Sequence, residues 1–163
     1  MRSRKLSTIG LVIALSLTSL AFKCGGGCAD TDPRCNYAKA ADNIAGGLNA
    51  LIKAKRSLAQ EGRISADEER RLTTLLNTAN EAAIVFNNKV RTTTTIDASN
   101  ATELGNLLAN VTSAVNELNA GSGIPGISNN ESRQKLARIL ATVTAAIAIL
   151  NQLRSQGAPT PTP

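Results

Sequence analysis

At 163 residues the chain has room for one domain of ordinary size. Its 42% apolar content includes no Trp, one Tyr and two Phe, so packing is aliphatic and stacking sites are poorly supplied. The net charge of +6 is mostly a leader effect: with Arg2, Arg4, Lys5 and Lys23 set aside, 14 basic residues face 12 acidic ones, a net +2. A nucleic-acid partner needs a concentrated basic face, so that class is excluded here.

Residues 1–23 read as a signal segment. A basic start, Met1-Arg-Ser-Arg-Lys5, precedes an uncharged apolar run from Leu6 to Phe22, at the short edge for a spanning helix. Ser19 and Ala21 supply small residues at the −3 and −1 positions of a cleavage site after Ala21. That route predicts a freely secreted chain. Cys24, immediately after the apolar run and before Gly25-Gly-Gly27, resembles the lipid-bearing first residue of mature bacterial lipoproteins. The resemblance covers the leader alone and implies a membrane anchor through Cys24. Both routes lead to export, into the periplasm or cell envelope for the anchored form.

Residues 24–35, rich in Gly, Asp and Cys, read as a tether. The cysteines, Cys24, Cys28 and Cys35, are an odd number in an oxidising compartment. Lipid on Cys24 leaves Cys28 and Cys35 as a pair, whose disulfide closes a short loop worth about 2–3 kcal/mol at most. Three thiolates with Asp30 or Asp32 match no common zinc spacing, so no metal is assigned.

From Asn36 the pattern is helical, and residues 36–157 are expected to form an antiparallel four-helix bundle. The first helix, Asn36 to Glu61, carries Ala41, Ile44, Leu48, Leu51 and Leu58 on one face, and Gly62 ends it. Ser65-Ala-Asp-Glu68 reads as a capping box opening the second helix. Leu72, Leu76, Ala79, Ala83, Phe86 and Val90 form its seam, and the run of Thr residues after Arg91 closes it. The third helix starts at Asp97 or Ser99, with Leu104, Leu108, Val111, Val115 and Leu118 as its seam. Gly121 to Gly126 reads as loop. Ser128-Asn-Asn-Glu131 reads as a second capping box, opening a helix with Leu136, Leu140, Val143, Ile147, Leu150 and Leu153 inside. Residues 158–163, with alternating Pro and Thr, are a tail.

The recurrence of Ile-Ser-x-x-Glu at Ile64 and Ile127, with seams that align on a shift of 64 for the second and fourth helices and of 60 for the first and third, suggests a duplicated helical hairpin. Lys55 falls on the seam between Leu51 and Leu58. Its stem is expected to pack, its ammonium to turn outward, and Glu68 or Glu69 to lie within reach.

The search for chemistry returns little. The chain has no His, which removes the usual general base and the Ser-His-Asp and Cys-His arrangements. Glu81, Glu103, Glu117 and Glu131 stand singly, no Gly-rich phosphate loop is present, and no enzyme activity or cofactor is assigned. The charged-surface candidates are Lys53, Arg56, Arg63, Arg70 and Arg71, gathered around Gly62 and facing an unknown envelope protein or anionic lipid. The uncharged stretch from Ile139 to Leu150 is too short to span a bilayer and fits a core helix. The expected function is that of an exported, non-enzymatic envelope protein with a structural or partner-binding role. Alternatives are a carrier holding an apolar ligand among Gly46, Gly47, Ala79, Ala83 and Ala114, and a membrane-perturbing protein.

Overall fold

Proline suits the first turn of a helix, where its missing N–H has no partner to lose. Pro33 takes that place in α1 (Pro33–Gln60), so the helix begins three residues before Asn36 and includes Cys35. The computed structural model describes residues 33–156; the expected signal segment (residues 1–23), Cys24, Cys28 and residues 158–163 lie outside them. α2 (Ala66–Thr92), α3 (Ala98–Asn119) and α4 (Asn130–Gln156) follow. Among the described residues all regular structure is helical, and the four helices pack against each other. α1 packs on α4 and α2, α2 on α3, and α3 less extensively on α4.

The helix ends have local causes. Gly62, at φ 66°, takes the left-handed position after α1, with Gly62 N–H donating to Ala59 O and Arg63 N–H to Leu58 O. These two bonds satisfy the last carbonyls of the helix. Ser65 caps α2: its hydroxyl accepts from the Glu68 amide, while the Glu68 carboxylate accepts from the Ser65 amide. The Thr92 and Thr93 hydroxyls fold back onto the Asn88 and Lys89 carbonyls and end α2. Asp97 caps α3 by accepting from the Asn100 amide.

α4 departs from expectation. Its cap is Asn129, whose side chain accepts from the Ser132 amide and whose carbonyl accepts from Arg133 N–H. Ser128 lies one residue before the cap, and Glu131 is turned to Arg63 rather than back to the cap. Ser65 and Asn129 are 64 residues apart, the same shift that aligns the seams of α2 and α4. The Ile-Ser-x-x-Glu recurrence, at 63, is therefore one residue out of structural register.

The predicted seam residues of the four helices are buried, with Phe86, Leu48, Leu58 and Leu118 completely so, except Leu153 near the end of α4, which is half-buried. The segment between α3 and α4 adds to this core, contrary to its reading as plain loop. A 3-10 turn, Ile124–Gly126, buries Ile124, and Ile127 beside it is also buried. α1 approaches α4 through Gly47, where an added Cβ would stand 2.4 Å from Val143 Cγ2. Gly46, one residue earlier, faces open space.

Candidate functional site

The turn after α1 and the start of α4 meet at one end of the molecule, and polar side chains join them. Glu68, 6% exposed, sits at the centre. Its Oε2 accepts from the Ser65 amide at 2.6 Å, and its Oε1 accepts from both the amide and the hydroxyl of Ser128 at 2.7 Å. The Ser128 hydroxyl, then its amide, then the Ser65 amide hold the Glu68 carboxyl down to about 2 against the burial that opposes them. Ser132, fully buried, donates from its hydroxyl to Arg63 O at 3.4 Å. Arg63 in turn pairs with Glu131, which is 77% exposed, and stands 3.8 Å from Glu61. The expected box at Ser128 is replaced by a bond between two turns. A carboxylate saturated by donors and held ionised is a fastening, poorly suited to general acid or base work.

Lys55 is more enclosed than its sequence position suggested. The residue is 7% exposed, its Nζ donates to Thr73 Oγ1 at 2.7 Å, and Glu69 Oε1 lies 3.5 Å away. Glu69 is thus the partner, and the ammonium stays inside the α1/α2 seam instead of reaching solvent.

The five charged-surface candidates divide. Arg63 is neutralised by Glu131 and Glu61, and Arg70 by Asp67 at 2.7 Å. Lys53, Arg56 and Arg71 are exposed and have no ion pair among the described residues. Two further exposed cations without one, Lys135 and Arg138, stand on α4. They were missed because the sequence places them more than 70 residues from the Gly62 turn, and only the packing of α4 on α1 brings them to the same end. Cys35, the described member of the expected Cys28–Cys35 pair, is buried on the first turn of α1.

Two shallow hollows mark the outer surface of α1 and α2. One is lined by Asp67, Arg70, Arg71 and Thr74, the other by Arg56, Ala59, Gln60 and Glu69. Each contains a carboxylate beside its arginines, so neither presents an undiluted positive surface. Comparison with known proteins finds no matching family model, no matching curated protein and no matching solved structure. The functional reading rests on the residues themselves.

Proposed function

We propose that this chain is an exported, non-enzymatic protein of the cell envelope with a structural or partner-binding role, folded as an antiparallel four-helix bundle. The observation that carries the interaction role over a ligand carrier is the use made of the small residues. Gly46 faces outward, Gly47 is filled by the Val143 side chain, and Ala79, Ala83 and Ala114 lie within one continuous apolar cluster. Small residues that admit a neighbouring helix leave little lining for a ligand cavity.

The antiparallel arrangement is supported by pairs that run in opposite chain order. Arg91 reaches Asp42 at one end of α1 and α2, while Glu69 reaches Lys55 towards the other. Arg154 donates to Gly105 O, joining the end of α4 to the start of α3. The shift of 64 shared by the caps and seams of α2 and α4, beside a shift of 60 between the α1 and α3 seams, supports descent from a duplicated hairpin.

Export rests on the basic start and the apolar run from Leu6 to Phe22. In the mature chain Cys28 bonds Cys35, and Cys24 either carries lipid or is left over. The test is the intact mass of the protein from its native host, read together with membrane fractionation. Loss of the first 21 to 23 residues is expected, with the added mass of acyl chains marking the anchored form. Full-length protein recovered soluble from the cytoplasm would overturn the reading. A rise in melting temperature with small apolar ligands would return the carrier to first place.

A further inference from the structure

Of the exposed cations without an ion pair among the described residues, Arg56 and Arg71 stand beside carboxylates on the outer surface of α1 and α2, and three others lie on the α1/α4 side. Lys53 on α1 and Lys135 and Arg138 on α4 are exposed cations without an ion pair among the described residues. The exposed acids in the same condition, Glu81 and Glu117, stand on α2 and α3. Packing puts the three cations at one level. Gly47 backs onto Thr142 and Val143, and from that crossing Lys53 lies about 9 Å along α1, with Arg138 and Lys135 about 7 and 11 Å along α4.

The neighbouring surface is apolar. From Arg138, positions Thr142, Ala145 and Ile149 continue one outward stripe at helical spacing, all exposed, with Ile149 49% so. An 18-residue window within Asn130–Ser155 has a mean hydropathy of 1.6, and 33% of it is buried. A core helix hides its apolar residues against its neighbours. α4 leaves Ile149 outside on the side of the unmatched cations, whereas the other exposed large apolar side chains, Ile84 and Val85, stand on α2 near the unpaired Glu81.

We propose that the α1/α4 face docks flat on an anionic lipid bilayer. Lys53, Lys135 and Arg138 meet the phosphate groups, while Ala145 and Ile149 settle into the headgroup boundary. A nucleic acid fits this face poorly, because Tyr37 and Phe86 are buried and offer no base a stacking partner. A second copy fits poorly too, since two such faces would oppose unmatched cations to each other. The proposal deepens the partner-binding reading by naming the partner, and it does not depend on export.

The test is co-sedimentation of the full chain with vesicles of phosphatidylglycerol in phosphatidylcholine, against phosphatidylcholine alone, at low and high salt. With Arg2, Arg4, Lys5 and Lys23 replaced by Gln in every sample, binding through the leader's apolar run would appear on both vesicles and resist salt. The face is read from the excess on anionic vesicles, which should vanish at high salt. Lys135→Gln/Arg138→Gln should lower that excess about 25-fold, at about fivefold per cation. Arg70→Gln/Arg71→Gln, with the same charge change on α2, should lower it less than about threefold, and circular dichroism checks that both variants fold. Equal losses in the two variants, or no excess on anionic vesicles, would overturn the proposal. So would a vesicle-free dimer that Ile149→Arg dissociates, which would give the face to a second copy. The mass measurement that tests export is unaffected by any of these results.

Discussion

The Glu68 carboxylate receives two hydrogen bonds from Ser128, sixty residues further along the chain, while it completes the cap of its own helix through Ser65. One side chain therefore closes a local turn and a tertiary contact together. Glu68→Ala removes the acceptor for three donors in a largely enclosed site and should destabilise the protein by about 2–3 kcal/mol. Glu131→Ala removes an exposed ion pair with Arg63 and should cost under about 1 kcal/mol. Urea denaturation of the two variants checks the ranking. Equal losses would mean that both glutamates act as plain capping residues.

The same carboxylate makes stability depend on pH. Its folded-state value of about 2 lies below the ordinary 4.5, so the unfolded chain binds the proton more readily. The stabilisation, about 3 kcal/mol, is complete above about pH 5 and is lost as pH falls towards 2. Urea midpoints measured from pH 7 down to pH 2.5 should decline, and the decline should be much shallower in Glu68→Gln, which cannot titrate.

The neighbouring glycines of α1 should respond in opposite directions. Gly46→Ala, in open space, should stabilise by about 0.5–1 kcal/mol through the lower entropy of the unfolded chain. Gly47→Ala drives a methyl into Val143 and should destabilise by about 1–3 kcal/mol. Adding Val143→Ala to Gly47→Ala should recover part of that loss. Thermal melts of the three variants decide whether α1 and α4 are as close as described.

The start of α4 offers a direct check on register. Asn129→Ala should remove the cap and destabilise by about 1 kcal/mol. In Ser128→Ala the amide still donates to Glu68 and only the hydroxyl bond is lost, so a loss of about 0.5–1.5 kcal/mol is expected. A double-mutant cycle should find Ser128 coupled to Glu68 and Asn129 uncoupled from it.

The seams were legible because burial in a helix leaves a period of 3.6, and that period runs through Ile44, Leu72, Leu104 and Leu136 and their neighbours. The Ser65 box was legible because its serine and glutamate are local partners. The second box misled for the same reason. Ser128 and Glu131 have the right spacing, but each finds its partner in the other hairpin, and Asn129 is as good a cap as serine. Burial of Ile124 and Ile127 left no trace in the pattern, since isolated apolar residues among glycines have no period. Lys53 stood out because it is near other charges in sequence. Lys135 and Arg138 join it only after α4 is laid against α1.

Ser128 belongs to no helix and is exposed at the surface, the setting in which amide protons usually exchange with solvent almost freely. Its N–H is nevertheless committed to Glu68, and releasing it means opening the junction at which both hairpin turns meet. That amide should exchange on the slow timescale of the helix interiors, through the unfolding of the whole molecule. A loop residue would thereby report the cooperativity of the fold, and deuterium uptake at Ser128 should accelerate sharply in Glu68→Ala while Asn129-capped α4 stays protected.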